Sequence, residues 1–330
     1  MRVLTAILVA AGLILGAGGF RAWKTLHTPG SADDRQVVFT IHPGQTLKQI
    51  AAALESRGLV SDAFLFTWYA RYKKAGPRMP AGEYLLSANL TPVQTLNTLL
   101  EGKVRLYRLT IPEGLNMDET ASLVAAAGFC DTKTFLDLCT DQAFITALFV
   151  PSHTLEGFLF PDTYFFPKSA TCRQVIKKMV DTFFTVFTPQ WQERAETMGF
   201  TLQEIVTLAS MIEKETGDVS ERPMIASVFH NRLKKKMRLE SDPTVIYGDT
   251  EFDGRIRTRH LRRKTDYNTY QMHGLPKGPI ASPGAKALEA ALFPAQSDYL
   301  FFVSKNDTTH YFSKTLAEHN RAVRKYQLNE

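Results

Sequence analysis

The sequence predicts an α+β fold: a tandem of strand–helix units, then a mainly helical part that closes with a hairpin and a last helix. Three observations carry this. FTIHPGQTLKQIAAAL (39–54) and LTIPEGLNMDETASLV (109–124) align at a constant offset of 70 as strand, glycine turn and helix. The stretch 201–248 has helical periodicity over TLQEIVTLASMIEKE and again over SVFHNRL. DYLFFVSKNDTTHYFS (298–313) alternates like two strands around Asn306-Asp307.

Length and composition fit such a fold. The chain has 330 residues, 44% hydrophobic and 22% charged, enough to bury a sizeable core in two domains. Its formal net charge of +6 suits an acidic partner without demanding a nucleic acid, and no nucleic-acid signature is present. Cys130, Cys139 and Cys172 are too few for a disulfide framework; at most one bridge can form, with one thiol left over.

In chain order, residues 3–20 form an uncharged run of 18, just long enough to cross a bilayer. GAGGF is a poor cleavage site, so an uncleaved anchor over 1–23 is favoured over a removed signal peptide. KTLHTPGSADDRQ (24–36) reads as a linker. The repeat region is expected over 37–165. Each strand–helix unit alone is too small to bury its face, which predicts a shared core. PAGEYLLS (80–87) and VRLYRLTI (104–111) read as strands. EGFLFPDTYFFP (156–167) is aromatic enough to be either core or an apolar wall, and core is the commoner use. A single long amphipathic helix is expected over 172–198. RIRTRHLRRK (255–264) puts six Arg or Lys in ten residues, a solvated face able to steer an acidic ligand. A terminal helix is expected from Thr315 to Tyr326.

Glu213 stands out on helical angles. With about 100° per residue and Ala209 at zero, Leu202, Ile205, Val206 and Ile212 lie within about 60°, and Glu213 lies about 40° off, inside the apolar stripe. Gln203, Glu204, Thr207, Ser210, Lys214 and Glu215 point more than about 90° away and read as a solvated face. A carboxylate among aliphatic groups is costly to ionise, so its pKa rises and it can hold a proton for general-acid work. The plainer alternative is a half-buried Glu213 beside Arg222 or Arg232.

The motifs EKET (213–216), SVFHNRL (227–233), SDPTVIYG (241–248), YNTY (267–270), GLPKGPIASPGAKALEAAL (274–292) and LEGFLFPDTYFF (155–166) resemble those of the YceG-like endolytic murein transglycosylase (MltG) family. The resemblance covers nearly the whole chain, in the family's order. It implies a LysM-like region over 37–165, serving either as a glycan binder or as a spacer, and a catalytic domain over 166–330. It also implies cleavage of the β-1,4 bond between N-acetylmuramic acid and N-acetylglucosamine without water, leaving 1,6-anhydro ends on nascent peptidoglycan strands. Glu213 is the implied catalytic acid. Asn231, Arg232, Asp242, Thr244, Tyr247, Tyr267, Asn268 and Tyr270 are candidate substrate-binding residues. No cofactor is expected, since no H-E-x-x-H, P-loop or G-x-G-x-x-G is present and the eight histidines show no metal spacing. Implied partners are glycan strands, the cytoplasmic membrane and peptidoglycan synthases, with the catalytic part on the periplasmic or outer side.

Two other readings stay open. A hydrolase would need a second carboxylate, for which Glu215, Asp218, Glu221 and Asp242 are candidates, Asp242 foremost because Glu215 points about 160° away from Glu213. A membrane-tethered, non-catalytic glycan-binding scaffold would need none.

Overall fold

The computed structural model describes residues 2–328, with the side chains of residues 2–11 and Pro77 outside the described set. It is a mixed fold, about half helical, with three two-stranded sheets among the described residues. The chain divides into two compact units, residues 1–108 with 165–170 and residues 109–164 with 171–330. The expected repeat region 37–165 is therefore divided between them.

The first unit begins with α1 (Arg2–His27), which runs past the expected anchor boundary into the expected linker. Among the described residues no helix is long and apolar enough to cross a membrane, and residues 3–11 of the apolar run have side chains outside the described set. There follow β1 (Gln36–Ile41), α2 (Leu47–Ser56), α3 (Ala63–Tyr72), β2 (Gly82–Ser87) and α4 (Pro92–Glu101). Strands β1 and β2 pair antiparallel from Gln36↔Ser87 to Ile41↔Gly82. The helices start where sequence chemistry sets them. Thr46 and Thr91 make capping boxes with Gln49 and Gln94, and Asp62 caps α3. Phe39, Leu54, Phe66, Tyr84, Leu86, Leu96 and Leu99 are buried together in a core whose members all lie between residues 37 and 104. Strand β2 and helix α4 cover the face that β1 and α2 leave open.

The second unit repeats the pattern with β3 (Leu106–Thr110), α5 (Met117–Ala126), α6 (Thr132–Thr140), the short α7 (Gln142–Ala147), β4 (Thr163–Pro167) and α8 (Cys172–Val186). Asn116, Asp131 and Thr171 cap α5, α6 and α8, as Thr46, Asp62 and Thr91 cap their counterparts. Tyr84 donates its hydroxyl proton to the Pro80 carbonyl at 2.7 Å, and Tyr164 does the same to Phe160 at 2.6 Å. The repeat thus extends through β2–α4 and β4–α8, a likeness visible in EYLLSANLTPVQ and TYFFPKSATCRQ but absent from the sequence reading. Strand β3 pairs with β4, and the division between the units falls inside both strands. Of the aromatics in 156–167, Phe158, Phe160, Tyr164 and Phe166 are buried core and Phe165 is exposed. A disulfide joins Cys130 to Cys172, and Cys139 is buried and free.

The long helix expected over 172–198 is two: α8 ends at Val186, and α9 (Pro189–Thr197) restarts from its Thr188 cap. Pro189 has no N–H to continue a helix but suits a first turn. Next come α10 (Leu202–Glu215), α11 (Arg222–Lys234), short α12 (Pro243–Ile246) and α13 (Thr258–Arg262), and α14 (Ala285–Leu292). The hairpin β5 (Phe301–Ser304) and β6 (His310–Ser313) is antiparallel, with Asn306 and Thr308 at positive φ in its turn. The last helix, α15 (Leu316–Val323), continues as a π-helical turn to Leu328.

Helix α10 is buried nearly all round, including Thr207, Leu208, Ser210 and Met211 on the side expected to be solvated. A strap over residues 277–284 covers it. Gln203 donates to the Lys277 carbonyl at 3.2 Å, Ser210 Oγ accepts from the Ile280 N–H at 3.0 Å, and Glu213 accepts from the Gly284 N–H at 3.0 Å. Gly157 shows how tight this packing is. Its φ is +83°, and an added Cβ would fall 2.6 Å from Pro279 Cβ and 2.8 Å from Val206 Cγ1. Gly199 has φ +81° and nothing within 4 Å. Gly199→Ala should cost only backbone strain, about 1 kcal/mol, while Gly157→Ala adds overpacking and should cost about 3 kcal/mol. Chemical denaturation checks this, and equal losses would refute the packing of the strap against α10.

Candidate active site

Glu213 sits in the last turn of α10, whose Thr201–Glu204 capping box fixes where the helix starts and whose Thr216 ends it in extended conformation. Its side chain is only 5% exposed. Oε1 accepts from Arg222 Nη2 at 2.6 Å and Oε2 accepts from the Gly284 N–H at the start of α14. Arg222, in the first turn of α11, is 4% exposed, and both its terminal nitrogens also face Glu113 Oε2 at 3.4 Å. The alternative of a Glu213 beside Arg222 is therefore the geometry found, and the carboxyl is deeply rather than half buried. Arg232 is engaged elsewhere.

Burial is the largest influence on Glu213 and raises its pKa. The Gly284 N–H, the Arg222 guanidinium and Lys214 pull the other way, Glu113 adds to the rise, and the net direction is up. Two glycines make room around the carboxyl. Gly114, at φ +76°, would place a Cβ 3.6 Å from Glu213 Cγ, and a Cβ on Gly284 would collide with the Glu113 carboxyl. The loop carrying Glu113 is tied to the strap, Gly114 donating to the Ser282 carbonyl at 2.9 Å and Ser282 to the Leu115 carbonyl at 2.7 Å.

Glu215 departs from expectation. Ser241 Oγ donates to its Oε1, and burial pushes its pKa up to about 7 against the lowering effect of that bond. The helical angle that aimed Glu215 at solvent holds, but the loop beginning at Ser241 covers that side. Asp242 accepts from the Tyr270 hydroxyl at 2.6 Å and raises Glu215 further. Glu156 forms a third buried carboxyl. Its Oε2 accepts from the Met117 N–H at 3.1 Å and the Tyr247 hydroxyl at 2.8 Å, and burial lifts its pKa to about 7. Tyr247 lies 4.6 Å from Tyr267, ring to ring.

The other predicted binding residues divide by what their polar groups already hold. Asn231 donates to the Ser297 and Tyr299 carbonyls, and Arg232 to those of Leu300, Arg238 and Leu239 and to the Glu240 carboxylate. Asn268 donates to the carbonyls of His260, Leu261 and Arg263. Thr244 bonds Ser241 and Thr269. These four hold loops in place. Tyr247 with Tyr267, and Asp242 with Tyr270, are the pairs brought together. Sequence reasoning missed Glu113, Arg222 as a shared partner, Glu156 and Ser241. The glycine after Glu113 and the LEG of the aromatic motif were the signals available.

Comparison with known proteins gives a consistent set of relatives. The model of the YceG-like family matches residues 39–325. A Bacillus subtilis protein named endolytic murein transglycosylase is 32% identical over 95% of this chain and 91% of its own length. A Streptococcus pneumoniae protein of the same name is 29% identical over 94% of this chain, which spans 62% of that relative's length. The crystal structure of a YceG-like protein of Listeria monocytogenes is 33% identical, with a TM-score of 0.61, covering 87% of this chain and 98% of that one.

The raised carboxyls leave a signature in stability. Folding lifts Glu156 from the ordinary 4.5 to about 7, so its neutral-form stabilisation is complete below about 4.5 and lost as pH rises through about 7. Unfolding free energy should fall over that window, by up to about 3 kcal/mol from this residue. Glu156→Gln keeps acceptors for Met117 and Tyr247 and should flatten that part of the decline, leaving the part due to Glu215. Denaturation at pH 5 and pH 8 measures it; a variant with the wild-type slope would contradict the assignment.

Proposed function

The chain belongs to the YceG-like family, and from that premise we propose that it is an endolytic murein transglycosylase with Glu213 as its acid–base residue. The observation that supports this best is the buried Glu213 carboxyl with its raised pKa, held between the Arg222 guanidinium and the Gly284 N–H. The substrate is the glycan strand of peptidoglycan. Glu213 gives its proton to the oxygen linking N-acetylmuramic acid to N-acetylglucosamine as the C1–O bond breaks. The muramoyl 6-hydroxyl then bonds to C1 and returns its proton to Glu213, so no water is consumed and a 1,6-anhydro end results. Intramolecular attack supplies the nucleophile at high effective concentration, so one acid–base residue suffices. Between the steps Glu213 is ionised, and Arg222 with the Gly284 N–H stabilises that form.

The wider setting follows the same reading. Helix α1 holds the protein in the cytoplasmic membrane by a single pass, with the bulk of the chain on the periplasmic or outer side. The uncharged run 3–20 and the exposed Leu13, Ile14, Leu15 and Phe20 support this. The strand–helix units of 37–165 are LysM-like and hold glycan, within reach of synthases making new strands. Tyr247, Tyr267 and Tyr270 with Asp242 are the remaining candidates for sugar hydroxyls, and the exposed basic stretch 255–264 suits peptide carboxylates. A second reading, with Glu215 as the acid, draws on its pKa of about 7.

Digestion of uncrosslinked glycan strands, read by mass spectrometry, tests this. The wild type should release fragments with 1,6-anhydro ends, one water lighter than reducing ends. Glu213→Gln should lose at least about a hundredfold in turnover, and Glu215→Gln much less. A larger loss in Glu215→Gln would move the acid to that residue. Dominant reducing ends would make the protein a two-carboxylate hydrolase, and binding without release would make it a scaffold.

A further inference from the structure

Glu113 reaches Glu213 from 100 residues upstream, in the second copy of the strand–helix repeat, and the two carboxylates share one guanidinium. The cluster carries two potential negative charges against one buried positive charge. Lys214 is the other cation near Glu213, but its Nζ turns to the Gly114 carbonyl at 3.1 Å and its side chain is solvated. With both carboxylates ionised the buried group is left one positive charge short, which favours uptake of a proton. The proton belongs on the carboxyl that is dearer to ionise. Glu213 is 5% exposed and Glu113 is 47% exposed, so desolvation favours placing it on Glu213.

The distances are those of a partner in waiting. Arg222 lies 2.6 Å from Glu213 Oε1, while Nη1 and Nη2 stand equidistant from Glu113 Oε2 at 3.4 Å, and Arg222 Nε has no hydrogen-bond partner. A small turn of the guanidinium converts the second contact into a forked pair. Gly284 keeps this path open, since any Cβ there would occupy the space of the Glu113 carboxyl.

We propose that Glu113 is a positioning residue for the reaction of Glu213: it takes the Arg222 guanidinium while Glu213 holds the proton to be donated and releases it once Glu213 has ionised. The inference rests on Glu213 being the acid. A guanidinium fixed on the acid works against its protonation and so partly blocks donation. A second carboxylate on the same guanidinium removes that block without moving Arg222 out of the site.

The test is the pH dependence of kcat/KM for strand cleavage by the full-length protein in detergent. Protonated Glu213 is the active form, so activity is present at low pH and falls as pH rises through its pKa. Glu113→Gln leaves Arg222 with Glu213 as its sole carboxylate and should move the falling limb to lower pH, with about a tenfold loss above the limb that is recovered below it. Glu113→Asp should keep most of the wild-type profile. Thermal unfolding of both variants controls for folding, which a half-exposed side chain should tolerate. If Glu213→Gln is inactive and the Glu113→Gln profile superimposes on the wild type, or sinks equally at every pH, the sharing of Arg222 is overturned while the acid assignment survives. If Glu213→Gln is active, the assignment of the acid fails first.

Discussion

A carboxyl withdrawn from water but gripped by one guanidinium is the constraint around which the second unit is built. Neither half of that arrangement is stable alone. A buried Glu213 without a cationic partner is costly to ionise, and a buried Arg222 without a carboxylate would be an uncompensated charge. Helix α10 supplies the burial because it is covered nearly all round, by the strap 277–284, by α14 and by the loop from Ser241. The strap's hydrogen bonds to Gln203, Ser210 and Glu213 follow the helix along its length, so the N–H of Gly284 arrives at the carboxyl as the last contact of a continuous docking. Glycine is needed at 284 because the backbone approaches the Glu113 carboxylate closely, and it suits 114 because φ there is +76°.

The two strand–helix units show how one local design is put to two uses. Both start their helices with the same caps and both close with a strand whose tyrosine bonds a carbonyl just upstream. The first buries its faces within its own residues. The second instead offers its glycine turn to the helical part, where Glu113 meets Arg222, Gly114 meets Glu213 and the Met117 N–H holds Glu156. Its turn has become part of the candidate site, while a Cβ at Gly44, in the corresponding turn of the first unit, would meet nothing within 4 Å.

Glu213 was legible because a helix has a fixed angle per residue, and its place in the stripe of Leu202, Ile205, Val206 and Ile212 needs no knowledge of neighbours. Glu215 was misread by the same argument. Angle says which way a side chain points but not what covers it, and here a loop arriving from Ser241 turns the expected solvent face into interior. The offset-70 repeat was legible because its strand, glycine turn and helix recur in order, but the break at Pro189 was overridden by the periodicity on either side. Glu113 and Glu156 carried only the faint signals of a following glycine and of the LEG motif, because their significance arises from contacts across long sequence separations. Asn231, Arg232 and Asn268 look like ligand-binding groups in the sequence, and only their carbonyl partners show that their donors are spent on holding loops.

The central claim is that burial outweighs the guanidinium at Glu213, so that the free protein presents a carboxyl able to hold a proton. A carbon-13 NMR titration of the glutamate side-chain carboxyls, with the Glu213 signal assigned by its loss in Glu213→Gln, reads this directly. The account predicts that Glu213 titrates above the ordinary 4.5 of a glutamate. A midpoint at or below that value would mean that Arg222 and the Gly284 N–H hold the group ionised, and that Glu213 is a structural anion instead of the acid.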